Sequence, residues 1–533
     1  MESTVLSDAY KELLYSDKSV LKFILLHKKI VNAFDTLISK YMIDNNRGAE
    51  LFIDEYLVKH EGINKTHYFP KSLSAESKKN IISFYINSEN PNPNYLDMIV
   101  KGKQCQELEL DDKIRLAAKR KYNAFWSNLF EENKGIPMST SVRFINTDEP
   151  VLLDDNIPYN PTISFSANWI LKHHDYPTLM NNFIYLFGFV DSCYRSTFPV
   201  KRSKHHSIIS RIGLKSKKAY PIDLSYNILE PISTLTTEAY DSELSKYSIR
   251  IEDLVKWFFE SYLKTEFNVK GFYFNTSSKE STYLEKCRNL CSEFDSILKQ
   301  FNAFVEDNCV DRELIEMSSS TPLFSQVKSF SSQKYGYLID NELIKASDAF
   351  FSDQSPLIYI KTIQNNYDTF CDLLLYEKVR YDDFYDCQKN LINFLSKINL
   401  LYYDSNHILH FHKDKLFVLK DCYLNEVICL THYKNPSYDE SLKYIDSLIL
   451  SKKFTIENTL FSRPEQDYLD YVLNDRRFDN GLQLRNKYIH GSNQLDVNEH
   501  THDYYHILKL LVLTVLKMYE EFCIRDNVWN TEE

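Results

Sequence analysis

His502-Asp-Tyr-Tyr-His-Ile-Leu-Lys-Leu-Leu-Val-Leu-Thr-Val-Leu-Lys-Met-Tyr-Glu-Glu-Phe-Cys-Ile-Arg525 decides the fold class. Ile507, Leu508, Leu511, Val515, Met518, Tyr519 and Phe522 recur at helical spacing and make a wide apolar stripe. Such a stripe covers a bundle core and still leaves surface for a second subunit. Just upstream, Asp439–Leu450 and Pro464–Arg477 read as helices, the latter with Tyr468, Leu469, Val472 and Leu473 on one side. Asn480 is placed to cap a short helix, and Gly491 to end it.

Further towards the N-terminus, Asp382–Ile398 reads as one or two helices. Leu400–Tyr403, His407–His412, a turn at Lys413–Lys415 and Leu416–Leu419 follow. A helix, a hairpin and a further apolar segment resemble a winged-helix module, and any small α+β insertion gives the same pattern. Residues 224–330 are helical by periodicity, and Ser318–Thr321 marks a connection. Residues 133–180 are irregular, with short strands at Ser141–Phe144 and Thr162–Phe165, and Asn181–Arg195 reads as a buried helix. Val20–Tyr41 and Leu108–Phe130 carry the helical period, the second crowded with Lys113, Arg115, Lys119, Arg120 and Lys121; Ser88–Asn94 between them is a loop. The expectation is a mainly α, multi-domain chain. It divides into a helical region at 1–132, a mixed, mostly helical sensor or scaffold region at 133–330, a helical segment with the winged-helix-like module at 331–435, and a helical domain at 436–533.

Composition removes several function classes. The chain has 533 residues, 43% of them hydrophobic, and a formal charge of −11. That size predicts two to four domains, and that charge does not draw the whole chain to nucleic acid or anionic membrane. Only 10 glycines occur, none spaced for a phosphate-cradling loop, which argues against ATPase, kinase and Rossmann readings. The 10 cysteines are scattered without a C-x-x-C, so neither a zinc ribbon nor a disulfide framework is expected. No apolar run approaches the ~20 residues of a membrane span, and no signal peptide is evident. A cytoplasmic protein with no membrane partner is expected.

Lys201, Arg202, Lys204, Arg211, Lys215, Lys217 and Lys218 form a basic stretch with no carboxylate until Asp223. It reads either as a solvated loop or as a contact to an RNA phosphate backbone.

The residue types most suited to chemistry lie in Leu484-Arg-Asn-Lys-Tyr-Ile-His-Gly491. Arg485 is a permanent cation with a rigid fork of donors. His490 can exchange protons near neutral pH. Asn486 adds a polar group beside the arginine. Residues five apart are turned about 140° around a helix. Arg485 and His490 therefore meet only where the helix ends, or where a second subunit supplies a symmetric copy. His500, His502 and His506 follow closely; His502 and His506 share a helix face that could suit a metal, although lining a polar helix start is the blander reading. His407, His410 and His412 belong on an exposed hairpin. No G-x-S-x-G elbow supports a serine hydrolase.

Arg485, Asn486 and His490, with Gly491 after them, resemble the signature of the HEPN superfamily, in its Arg-Asn-x-x-x-His-Gly form. The resemblance covers roughly the last hundred to hundred and fifty residues. It implies a helical bundle that forms a homodimer through the C-terminal domain, and an endoribonuclease that needs no metal or other cofactor. The ribose 2′-hydroxyl would attack the adjacent phosphate, with His490 as general base or acid, Arg485 stabilising charge on the phosphate and Asn486 orienting the site. It also implies a toxin or phage-defence effector that cuts RNA, tRNA among the targets. The alternative is a nucleic-acid-binding or dimerising scaffold with a non-catalytic domain of this kind.

Overall fold

The computed structural model describes residues 12, 20–59, 66–102, 106–131, 139–154, 160–201, 214–222, 224–317, 322–363, 366–489, 491 and 496–527. It is mainly helical with small sheets, as the periodicity predicts. Contacts gather the chain into two compact units.

The first unit comprises residues 1–137, 212–220 and 475–482. Its helices include α1 (Asp35–Asp44), α2 (Ala49–Tyr56), α3 (Ala75–Ile86), α4 (Pro93–Lys101) and α5 (Asp112–Glu131). The Ser74 hydroxyl caps α3, and the Asn92 side chain caps α4, which Pro93 opens. Phe52, Ile53, Ile81, Ile82, Leu96, Ile99 and Ile114 share one core. The continuous helix expected over Val20–Tyr41 is broken into Val20–Ile24, Lys28–Ala33 and α1. One break follows Leu25, whose carbonyl accepts the Tyr68 N–H at 2.7 Å. Asn480 does not cap a helix. Its side chain brackets Tyr220 instead, accepting from the Tyr220 N–H at 2.7 Å and donating to the Tyr220 carbonyl at 3.0 Å.

The second unit holds residues 138–211, 221–474 and 483–533. It opens with a mixed sheet of β1 (Ser141–Ile145), β2 (Val151–Asp154) and β3 (Thr162–Ser166), in which β3 pairs parallel with β1 and antiparallel with β2. The helix expected over Asn181–Arg195 instead spans Tyr176–Tyr185 (α6). The chain leaves it because Gly188 turns at φ 62°, and the Asp191 carboxylate then takes the N–H groups of Cys193 and Arg195.

Three helices then pack against the last one: α7 (Leu224–Ser245), α8 (Ile251–Trp257) and α9 (Tyr283–Asp307). A Thr282–Glu285 capping box starts α9. Between these helices and the last stands a part with its own core. It contains β4 (Tyr335–Leu338), α10 (Asn341–Phe351), α11 (Phe370–Tyr376), α12 (Asp386–Lys397), the hairpin β5 (Leu401–Tyr403) and β6 (Leu409–Phe411), α13 (Lys413–Asn425), β7 (Ile428–Cys429), α14 (Asp439–Leu450) and β8 (Phe454–Glu457). The helix and hairpin fall where the winged-helix-like pattern places them. Lys413–Lys415 is not a turn, however; it is the first turn of α13, which buries Leu416 and Leu419. Strand β4 is central in an antiparallel sheet with β7 and β8.

The chain continues through α15 (Arg463–Leu473), α16 (Leu484–Ile489) and α17 (Val497–Arg525). A Ser462–Glu465 capping box starts α15, and the Asp496 side chain caps α17. The apolar stripe predicts α17, but not its degree of burial. Asp503 to Met518 are buried without a break, so this stretch offers no free face to a second subunit. The reason is that Lys509 and Lys517, on what would be the wet side, are themselves covered and paired. No helix among the described residues is long and apolar enough to cross a membrane.

Candidate active site

Helix α16 is short, and side chains on several sides hold it. Leu484 and Tyr488, four apart, are its buried anchors. Between them Arg485 reaches α9, where its Nη2 lies 2.8 Å from Asp295 Oδ2. Arg485 Nη1 also donates to Asn474 Oδ1, at 3.4 Å. The guanidinium is thus fixed in direction, with 16% of the side chain exposed. Burial pushes the Asp295 carboxyl up, and the Arg485 charge pulls against that. Asn486 is half-buried beside it. The helix ends at Ile489, and Gly491 takes φ 75°, a left-handed turn that glycine makes without cost. His490 lies outside the described residues.

Lys487 and Tyr488 face α17. Lys487 Nζ donates to Glu499 Oε1 at 2.5 Å and to Asp503 Oδ2 at 2.6 Å. The Tyr488 hydroxyl donates to the same Asp503 oxygen at 2.7 Å and lies 2.8 Å from His500 Nδ1. Burial alone would raise the Asp503 carboxyl. The nearby His502, the hydrogen bonds from Lys487 and Tyr488, and the Lys487 charge outweigh it and hold the group at about 2. The Arg485 segment is therefore tied to α9 by one ion pair and to α17 by this cluster.

The three histidines near the segment have separate partners. His500 meets Tyr488, His506 lies 2.5 Å from Glu230 Oε1, and His502 is largely exposed. The rings of His502 and His506 stand edge-on at 6.0 Å. No set of three metal-ligating side chains occurs among the described residues. On the hairpin, His410 contacts Asp404 at 3.2 Å and His412 contacts Asn399 at 3.1 Å, and both rings lie against Tyr402.

Of the basic stretch, Lys201 belongs to the second unit and donates to Asn425 Oδ1 at 2.8 Å. Lys215, Lys217 and Lys218 belong to the first, where Lys217 donates to the Glu55 carbonyl at 2.7 Å and Ser216 bridges Val58. Arg202, Lys204 and Arg211 lie outside the described residues.

Sequence reasoning missed two buried charge clusters in the second unit. In one, Glu230 accepts from Lys509 at 2.5 Å and from Tyr468 at 2.9 Å, while Lys509 also donates to Ser233 and Thr234. In the other, Lys334 donates to Glu520 at 2.9 Å and Glu521 at 2.5 Å. Lys517 donates to the Tyr194 carbonyl at 2.7 Å and lies 3.0 Å from Glu520 and 3.4 Å from Glu465. Lys334, Lys517, Glu520 and Glu521 have no exposed surface. Closed to solvent, these groups bind α17 to its neighbours rather than reach a substrate. The signal available was the lysines at 509 and 517 within an otherwise apolar run.

The chain matches no family model, no curated protein and no solved structure.

Proposed function

We propose that this chain is an endoribonuclease whose site is built on Arg485, Asn486 and His490. It acts in the cytoplasm on RNA, tRNA among the candidates, as a toxin or antiviral-defence effector. The observation that carries the reading is the fixing of Arg485 by Asp295 at 2.8 Å, one turn before α16 ends beside His490. A cation held in one direction at a helix end suits a phosphate whose charge grows during the reaction. His490 takes the proton of the ribose 2′-hydroxyl as its oxygen bonds to phosphorus. The bond from phosphorus to the 5′-oxygen breaks as the proton held on His490 passes to that oxygen, leaving a 2′,3′-cyclic phosphate and a 5′-hydroxyl. A homodimer sharing the site is part of the reading. Its interface uses the end of α16 and the start of α17, where Ile489 and Val497 are exposed.

The test is incubation of the purified protein with total tRNA and an all-DNA oligonucleotide of matched length. Arg485→Ala and His490→Ala each abolish RNA cleavage, and the DNA survives every protein. Cleavage persisting in both variants sinks the proposal. One observation favours a second reading, a dimerising scaffold: Arg485 already has a carboxylate partner. In that case both variants dimerise as the wild type does, and none cuts RNA.

A further inference from the structure

Helix α5 in the first unit is seated by only half its length. Ile114 and Ala118 are its buried residues, and Arg115 donates to the carbonyls of Ile99 and Val100 at 3.3 and 3.1 Å. Beyond Ala118 no residue is fully buried, although Tyr122 rests on the edge of the core and the Trp126 indole nitrogen is covered, and the sequence does not turn polar there. Tyr122, Trp126 and Phe130 follow at four-residue steps along the side that faced the core, and Phe125 stands beside them. Phe125 is 40% and Phe130 55% exposed. The rings hold one another: Trp126 stacks on Phe130 at 6.0 Å, and Phe125 meets Trp126 edge-on at 5.5 Å.

The charged side chains that precede these rings are basic, Lys119, Arg120 and Lys121, and the carboxylate of Glu131 follows Phe130 only at the helix end. Five basic side chains occupy the helix, with no carboxylate between Asp112 and Glu131 at its two ends, while the whole chain carries −11. Lys119 precedes Tyr122 by three residues and Lys121 precedes Phe125 by four, so each lies beside the ring it precedes. Exposed aromatic faces flanked by cations on an acidic protein complement a partner that is anionic and carries stackable rings. A double helix hides its base faces; a single strand offers them.

We infer that the outer half of α5 is a binding surface for single-stranded RNA. Bases stack on Phe125, Trp126 and Phe130, and the phosphates meet Lys119 and Lys121. The inference does not rest on the ribonuclease reading, because binding can be measured where cleavage is absent.

The experiment uses the full chain with His490→Ala and a fluorescein-labelled oligouridylate of about 12 nucleotides, read by anisotropy across a salt series. The strand binds, and Phe125→Ala with Phe130→Ala weakens it by about tenfold or more without moving the thermal midpoint. Lys119→Gln with Lys121→Gln keeps the fold and lowers the slope of log affinity against log salt by about 1.4. The inference is overturned if both double variants bind as the parent does, or if duplex RNA of equal length binds as tightly. It is also overturned if polyglutamate of equal charge displaces the strand as well as unlabelled RNA does; that result assigns the face to an acidic protein segment. None of these outcomes depends on whether the wild type cuts RNA.

Discussion

Arg485 and Asp295 lie 2.8 Å apart, each with less than a fifth of its side chain exposed. The contact joins the segment that carries the proposed site to a helix that precedes it by many elements. A guanidinium in bulk water samples many directions; this one is held to one.

Removing the carboxylate tests what that restraint is worth. Asp295→Asn keeps the shape and deletes the charge. Loss of a charged hydrogen-bond partner here costs about 1–3 kcal/mol, readable in urea unfolding. In the proposed reaction it lowers kcat more than it changes KM, since the arginine is still present but no longer aimed. Unaltered stability and unaltered turnover together would show the pair to be incidental.

Lys334 makes a harsher case. It is fully buried against Glu520 and Glu521, so Lys334→Met takes the lysine from Glu521, away from water, and leaves Glu520 with Lys517. Removing one partner of a buried ion pair costs about 3–5 kcal/mol. The exposed pair Lys443 and Glu440, 2.6 Å apart, is the control: Lys443→Ala leaves the thermal midpoint in place. Equal effects from the two substitutions would contradict this account.

Two aspartates give opposite pH signatures. Asp503 is held at about 2 in the fold, below its unfolded value. Its contribution is therefore present above pH ~4 and lost as pH falls towards 2. Asp241 is pushed up to about 6 by burial, with the neighbouring Glu252 charge adding and the Ile251 N–H opposing. Its ionisation therefore costs stability as pH rises from ~4 through 6. Asp503→Asn is most damaging at neutral pH and nearly silent at pH 2. Asp241→Asn improves relative to wild type between pH 4 and 7. Unfolding free energies across pH check both, and parallel curves would refute them.

Two glycines separate steric from conformational demand. A Cβ on Gly336 would run into the Phe454 ring across the β4–β8 pair, and Gly336→Ala loses about 1–3 kcal/mol by overpacking. Gly491 has open space around it but φ 75°, so Gly491→Ala costs about 1–2 kcal/mol through backbone strain alone. A rescuing Phe454→Leu repairs only the first, as paired melting curves would reveal.

Much of the helical architecture was legible because its causes are local. The stripe around Leu508, Leu511 and Val515 announces α17, and Ser141–Phe144 and Thr162–Phe165 sit within strands one residue longer. The failures have non-local causes. Asn480 looks like a helix cap until Tyr220 offers it a backbone amide and carbonyl. The first turn of α13 looks polar enough for a loop, although Leu416 and Leu419 after it supply the buried face. Arg485 was conspicuous as a residue type, but nothing in its neighbourhood names Asp295. The same holds for Lys509 and Glu230, whose pairing exists only once α7 and α17 are packed.

The deep burial of α17 also bears on synthesis. Helices α7, α8 and α9, which pack against it, leave the ribosome before it does. Until Lys509 and Lys517 emerge, Glu230 and Glu465 lack their ammonium partners, and the apolar faces of α7 and α9 lack their cover. A nascent chain halted before Val497 therefore holds Arg485, Asp295 and Asn474 in an unfinished bundle. Whatever the Arg485 segment does, its packing is finished only once α17 has been made.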